Sequence, residues 1–115
     1  MKYSFLLAIS SIAICALPGT PVMSNDLYNS SVRTAAELYA KRCASCHGKD
    51  GQAKTFKGKF KHARNLADSE WQGNVSDERI FNSIMNGKGK MPAFGKKLSE
   101  QAIESLVSHV RALKR

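Results

Sequence analysis

The chain has 115 residues, and its 18 Lys and Arg against 9 Asp and Glu give a formal net charge of +9 at pH 7. This length leaves room for one domain of ordinary size and excludes a multidomain architecture. The basic excess indicates an anionic partner, which in general is nucleic acid, a membrane or an acidic protein.

The first 24 residues are typical of an export signal. Lys2 supplies a positive start, and residues 5–17 form an apolar run interrupted only by serines. This run is shorter than the roughly 20 residues that span a bilayer, and Pro18 ends any helix within it. We therefore predict a secretory signal peptide.

The domain boundaries follow from this prediction. We expect a signal peptide at residues 1–24, a flexible leader at 25–33 and one folded domain at 34–115. A signal that is retained as a membrane anchor is the alternative. A lipoprotein attached at Cys15 is disfavoured because the bulky Ile14 precedes that cysteine.

Three main helices are predicted from capping residues and apolar spacing. Residues 34–37, Thr-Ala-Ala-Glu, form a capping box that opens the first helix. Ser76 opens a second helix, which ends at Gly87, and Ser99 opens the last helix. The apolar stripes of the last two helices consist of Ile80, Phe81, Ile84 and Met85, and of Ile103, Leu106, Val107, Val110 and Leu113.

Two long loops separate these helices. Residues 49–64 are rich in Gly and Lys, show little periodicity and hold Phe56 and Phe60 as their only large apolar anchors. Residues 68–71 predict a short helical turn, and residues 87–97 form the second loop. Because no alternation of period two survives this reading, the fold class is all-α.

Cys43-Ala44-Ser45-Cys46-His47 has the spacing by which c-type haem is covalently attached. The two thiols add to the two vinyl groups of one porphyrin, and the adjacent imidazole can bind its iron. Once the signal is removed, Cys43 and Cys46 are the only cysteines, which suits an oxidising compartment. We therefore predict one covalent haem c, attached through Cys43 and Cys46, with His47 as an iron ligand.

Other readings of the two cysteines fit less well. A thioredoxin-like redox pair lies near a βαβ pattern, which this chain lacks. A zinc site needs two more Cys or His ligands, and neither His62 nor His109 belongs to a paired motif. A structural disulfide does not explain why His47 follows directly.

Met91 is the predicted second iron ligand. It lies in a loop, and Pro92 after it keeps the backbone away from helical geometry. Methionine is ordinarily core filler, and Met85 on the apolar stripe fits that role. His62 and His109 are the alternative ligands, and either would give a bis-histidine haem of lower potential.

Residues 43–48 and 86–94, with Leu98-Ser99 opening a last helix, closely resemble small bacterial class I cytochromes c. The match covers residues 34–113. The resemblance implies three main helices and loops wrapped around one haem, with the first and last helices crossing. It also implies Cys43 and Cys46 as thioether attachments, His47 as the proximal ligand and Met91 as the distal ligand.

Three further positions are interpreted through this resemblance. Residues 63–66 resemble a family loop whose proline carbonyl accepts a hydrogen bond from the proximal histidine, and here Arg64 replaces the proline. His109 lies where the family often has an aromatic residue. Trp71 resembles a tryptophan that hydrogen-bonds a haem propionate in some members, with core packing as the alternative.

We interpret the chain as a periplasmic, monomeric electron carrier that shuttles single electrons and performs no enzymatic reaction. Export excludes nucleic acid as the anionic partner. Lysines are expected to form a docking surface for an acidic redox protein, with a merely solubilising surface as the alternative; they are Lys54, Lys57, Lys59, Lys61, Lys88, Lys90, Lys96 and Lys97. The alternative functions are a haem peroxidase-like or gas-sensing protein with a labile distal ligand, and a dedicated electron-transfer subunit of a dehydrogenase or oxidase complex.

Overall fold

The computed structural model describes residues 25–115, which form helices joined by loops and contain no β-strand. The helices are α1 (Asn25–Arg42), α2 (Ala44–His47), α3 (Phe56–Lys61), α4 (Ser69–Asn74), α5 (Asp77–Asn86) and α6 (Glu100–Ala112). The predicted all-α class is confirmed. The signal peptide predicted at residues 1–24 lies outside the described residues. Within residues 25–115, no helix combines the length and the apolar character needed to cross a membrane.

Helix α1 begins earlier than predicted. It starts at Asn25, so Thr34 lies inside the helix and the prediction that Thr34 caps its first turn is wrong. Residues 25–33 contain neither Gly nor Pro, and extending a formed helix costs less free energy than starting one. The segment predicted as a flexible leader therefore continues α1.

Each helix from α3 to α6 begins at a side chain that caps it. The oxygens of Thr55, Asp68, Ser76 and Ser99 each accept a hydrogen bond from the backbone N–H three residues later. The predicted starts at Ser76 and Ser99 are confirmed, and the predicted turn after Asp68 is the start of α4. Helix α3 lies in the segment predicted as loop, so that prediction is wrong: six residues are too few to show an apolar stripe.

The core forms where α1 and α5 pack against α6. Both predicted apolar stripes are confirmed, because their central residues are buried. The buried cluster consists of Tyr39, Leu66, Ile80, Ile84, Phe94, Ile103, Leu106, Val107 and Val110.

Tyr39 joins α1 to α6 and to the end of α2. Its side chain is 2% exposed, and its ring lies against His109 with 4.6 Å between the ring centroids. Its hydroxyl donates a hydrogen bond of 2.8 Å to the Gly48 carbonyl. His109 is thus a packing residue at the contact of the first and last helices.

A buried polar network ties α4 to α6. The Gln72 amide, 5% exposed, donates hydrogen bonds of 2.8 Å to the carbonyls of Leu66 and Val110. The Arg111 guanidinium donates to both oxygens of Gln72, at 2.7 and 2.9 Å. It also donates to the Val75 carbonyl and the Asp77 carboxylate. Because these partners are far apart in sequence, the network holds the short helix in place.

Replacing His109 is expected to change how stability depends on pH. Burial lowers the pKa of His109 from its ordinary value of 6.5, so the unfolded chain binds this proton at higher pH than the folded one. The contribution of the neutral His109 to the free energy of unfolding is therefore complete above the ordinary pKa of 6.5, and it is lost as the pH falls below 6.5. When the pH is lowered from neutral to mildly acidic, we expect the free energy of unfolding to fall less for His109→Phe than for the original chain. Denaturant unfolding of the haem-loaded protein at each pH measures this difference.

The exposed His62 provides the control, since His62→Asn removes a histidine without touching the contact with Tyr39. Parallel pH curves for His109→Phe and the original chain would contradict this prediction.

Candidate functional site

One cleft brings the predicted site residues together. It has a volume of about 740 Å³, and its lining includes Cys43, Cys46, His47 and Met91. Its apolar lining comes from the core and consists of Leu66, Ile80, Ile84, Phe94, Leu106 and Val110. The cleft thus combines sulfur and imidazole groups with a wide apolar surface.

The two cysteines lie where α1 passes into the short helix α2. Both are half-buried free thiols. Burial, followed by the neighbouring charge of Cys46, raises the pKa of Cys43 to about 11. Gly48, at φ 79°, ends α2 directly after His47. This turn therefore presents both sulfurs and the imidazole within one short segment.

His47 is held by the backbone of the loop after α3. Its Nδ1 lies 2.9 Å from the Arg64 carbonyl oxygen, and since a carbonyl can only accept, Nδ1 carries the hydrogen. Burial lowers the pKa of His47, although the same hydrogen bond acts in the opposite direction. A neutral ring with its hydrogen on Nδ1 leaves the lone pair on Nε2 for a metal. The contact expected at Arg64 is present, because it requires only a backbone carbonyl.

Helix α3 supports α2 from outside the cysteine motif. The Thr55 hydroxyl lies 2.9 Å from the Ser45 carbonyl and 3.0 Å from the Cys46 carbonyl, and it accepts from the Gly58 N–H. A Cβ at Gly58 would collide with the Cys46 carbonyl oxygen. Sequence reasoning missed these supporting residues, and the capping residue Thr55 was the signal for them.

A tight loop presents Met91. Lys88 and Met91 exchange backbone hydrogen bonds of 3.0 and 3.2 Å. Gly87, at φ 74°, leaves room for this loop, since a Cβ there would lie 2.7 Å from the Met91 carbonyl oxygen. Met85, in contrast, is absent from the cleft lining and packs against Gly95 and the core. Of these two methionines, only Met91 lines the cleft, although both pack against the core.

The charged side chains that line the cleft are all cationic. They are Arg42, Lys57, Lys61, Arg64, Arg79, Lys88 and Lys90, and no Asp or Glu lines it. The four lysines belong to the predicted docking surface, whereas Lys54, Lys59, Lys96 and Lys97 lie outside the lining. The three arginines were missed because they are scattered along the chain. This lining favours anionic groups.

The remaining candidates fall in different places. Trp71 lines the cleft and also packs against the core. His62 lines the cleft as an exposed residue that caps α3 in the left-handed conformation, whereas His109 does not line it. Phe56 and Phe60 are 90% and 66% exposed, so their prediction as apolar anchors is wrong: Gly58 occupies the buried face of α3 instead.

The lining fits a covalently bound haem in its chemistry. Two thiols suit the vinyl groups, and the Nε2 of His47 and the sulfur of Met91 suit the iron. The apolar residues suit the porphyrin ring, and the cations suit its carboxylates. Across residues 25–115, no three His, Cys, Asp or Glu side chains gather into an alternative metal site.

An all-α fold with a cleft of this chemistry is characteristic of small class I cytochromes c. The family profile described as "Cytochrome C oxidase, cbb3-type, subunit III" matches residues 30–110, and the chain belongs to that family. As a c-type cytochrome it carries electrons on covalently bound haem c.

Individual relatives agree with this assignment. Cytochrome c6 of a Nostoc species is 33% identical over 115 residues, covering 96% of this chain and 92% of the relative. The cbb3-type cytochrome c oxidase subunit FixP of Azorhizobium caulinodans is 34% identical over 84 residues, covering 72% of this chain. The chain spans only 27% of the length of FixP.

A solved structure shows the same fold. The c-type cytochrome KustC0563 is 40% identical and superposes with a TM-score of 0.67, covering 70% of this chain and 98% of that one.

Two glycine substitutions test the support that α3 gives to the cysteine motif. Gly58→Ala must displace α3 from the Cys46 carbonyl, and overpacking of this kind costs about 1–3 kcal/mol. We expect this loss in the free energy of unfolding of the haem-loaded protein, together with a lower yield of attached haem.

Gly73→Ala is the matched control, because a Cβ at this position in α4 meets no atom within 4 Å. An alanine in a helix is favoured over glycine by about 0.5–1 kcal/mol, so this variant should be at least as stable as the original chain. Equal effects of the two substitutions would refute the role given to α3.

Proposed function

We propose that this protein is an exported electron carrier with a single haem, held by thioether bonds to Cys43 and Cys46 and ligated by His47 and Met91. The observation that carries the proposal is that all four side chains line one cleft. The hydrogen bond to Arg64 supports it, because it leaves Nε2 of His47 available. The export pattern in residues 1–24 and the likeness to cytochrome c6 support a periplasmic location.

The ligands supplied by the chain suit electron transfer rather than enzymatic turnover. Bound haem supplies a reversible one-electron change at its iron. The thioether of Met91 is a soft donor that favours the ferrous state and so raises the potential. With His47 and Met91 on the two axial positions, no open position remains for a substrate. We therefore propose a carrier and not an enzyme.

The cationic lining supports an acidic redox partner. Lys57, Lys61, Lys88 and Lys90 are exposed side chains on the cleft lining, where no carboxylate opposes them. A field of one sign steers an oppositely charged protein toward the cleft and accelerates encounter more than it raises affinity. This suits a monomeric shuttle that meets several partners briefly.

A second candidate is a dedicated electron-transfer subunit of an oxidase complex. The family description and the likeness to FixP, which is named as a subunit of a cbb3-type oxidase, favour it. The high coverage of cytochrome c6, itself as short as this chain, favours the free carrier. Co-purification from native membranes with an oxidase separates the two.

Replacing Met91 tests the distal ligand. Axial ligands set haem potentials over a range of about 0.8 V, so we expect Met91→Ala to lower the midpoint potential by on the order of 0.1 V or more. The weak long-wavelength band of the ferric protein that reports iron–sulfur bonding should disappear, and carbon monoxide should bind the reduced form. Absorbance spectra during a potentiometric titration measure the potential and the band, and a spectrum of the reduced protein under carbon monoxide measures the third effect.

Met85→Ala is the control, since it removes a methionine that packs in the core. It should lower the stability but keep the band. If the original chain itself lacks the band and binds carbon monoxide readily, then a gas-binding or peroxidase-like protein replaces this proposal. If it lacks the band and does not bind carbon monoxide, ligation by His62 replaces Met91.

Replacing cleft lysines tests electrostatic steering. We expect Lys57→Gln with Lys61→Gln to slow oxidation of the reduced protein by the ferricyanide anion about 2–5-fold at low ionic strength, with the difference vanishing at high salt. Stopped-flow absorbance measures the rates. Lys96→Gln with Lys97→Gln removes the same charge outside the cleft lining and should have the smaller effect. Equal effects would show that only net charge matters.

A further inference from the structure

Helix α3 carries two phenylalanines that the core does not use. Phe56 is 90% exposed and Phe60 is 66% exposed, and within residues 34–115 no other large hydrophobic side chain is as exposed. Their spacing of four residues places both rings on one face of the helix. An exposed aromatic pair of this kind indicates an interaction surface, either for another protein or for a membrane.

The pair projects away from the body of the protein. Successive residues of an α-helix are rotated by about 100°, which places Gly58 roughly opposite the midpoint of Phe56 and Phe60. Gly58 is buried against the Cys46 carbonyl. The two rings therefore form an outward-facing ridge at this point, and neither of them lines the cleft.

Lysines flank this ridge. Lys54 and Lys59 are exposed next to it, and the ammonium of Lys90 lies 5.3 Å from the centre of the Phe60 ring. No Asp or Glu occurs between Asp50 and Asp68. Anionic phospholipid headgroups would thus meet no carboxylate along this segment.

We propose that this surface, the α3 docking face (Lys54, Phe56, Lys59 and Phe60), binds the protein peripherally to an anionic phospholipid membrane. The rings would enter the boundary between headgroups and acyl chains, as aromatic residues on an amphipathic helix do. The lysines would contact the phosphates, where each basic residue near the surface adds to the attraction.

The shape of the α3 docking face favours lipid over a protein partner. A projecting apolar ridge on a protein partner requires a pocket of matching shape, whereas a bilayer deforms around it. A ring of lysines also suits a diffuse anionic surface, which needs no single register of paired charges. Such binding would determine where the carrier operates, which electron transfer itself does not.

The two surfaces of α3 carry different residues and adjoin at Lys90, which lines the cleft and lies over the Phe60 ring. Lys57 and Lys61 line the cleft, whereas Phe56 and Phe60 do not. A protein seated through its aromatic ridge therefore keeps its cleft at the side, open to a partner in or on the same membrane. Such docking would confine the search for partners to the membrane surface.

Vesicle co-sedimentation of the ferric, haem-loaded protein tests the proposal. The probes are vesicles of phosphatidylglycerol and phosphatidylcholine in equal amounts, and vesicles of phosphatidylcholine alone. We expect binding to the first that weakens with salt, and little binding to the second. Phe56→Ser with Phe60→Ser should weaken partitioning about tenfold or more while the charge is unchanged.

Matched charge variants separate a local site from general attraction. Lys54→Gln with Lys59→Gln should weaken binding more than Lys96→Gln with Lys97→Gln, which removes the same charge elsewhere. Equal losses in the two variants, or original affinity in the double phenylalanine variant, would overturn the proposal.

Hydrogen exchange on the unmodified protein makes the test independent of how the variants fold. Vesicles should protect the amides of residues 54–61, and protection elsewhere would overturn the α3 docking face. Protection of this segment by an acidic protein but not by vesicles would assign it to a protein partner instead. A protein that does not bind vesicles would still show the spectrum and the potential expected of the proposed carrier. Failure of membrane binding is therefore distinguishable from failure of the proposed carrier function.

Discussion

The hydrogen bond between His47 and the Arg64 carbonyl is the constraint on which the site depends. It places the hydrogen of the imidazole on Nδ1 and so directs the lone pair of Nε2 to the remaining side of the ring. Burial lowers the pKa of His47 and outweighs the opposite effect of this hydrogen bond on the pKa, so the ring stays neutral. The folded protein thus leaves His47 neutral with Nε2 unprotonated, which is the form that the proposed iron ligand needs.

The segment that carries the cysteines is held mostly through its backbone oxygens. Tyr39 donates to the Gly48 carbonyl, Thr55 contacts the Cys46 carbonyl, and Gly58 lets α3 approach that same oxygen. A carbonyl exists at every residue, which explains how Arg64 can stand where related loops have proline. The donors and the glycine are less replaceable, since each depends on its own side chain or on the lack of one.

Charge and apolar surface are divided between two sides of α3. Lys57 and Lys61 contribute to the cationic cleft, and Phe56 and Phe60 form a ridge on the outer face. The division follows from helical geometry, because Gly58 takes the buried position and leaves the aromatic pair outermost. One short helix thereby supports the cysteine segment on one face and presents the proposed docking face on the other.

The sequence by itself determined what depends on near neighbours in the chain. The motif at residues 43–47, the caps Ser76 and Ser99 and the stripes of α5 and α6 rest on spacings of three or four residues, and each lies where predicted. Only the tertiary structure decided the start of α1, the presence of α3, the exposure of its phenylalanines, the arginines that line the cleft and the buried network of Gln72 and Arg111. The exposure of the phenylalanines, the cationic lining and the buried network rest on contacts between residues far apart in the chain, and such contacts leave no periodic trace in the order of amino acids. The start of α1 and the presence of α3 were missed for a local reason, because residues 25–33 show no clear apolar stripe and the six residues of α3 are too few to show one.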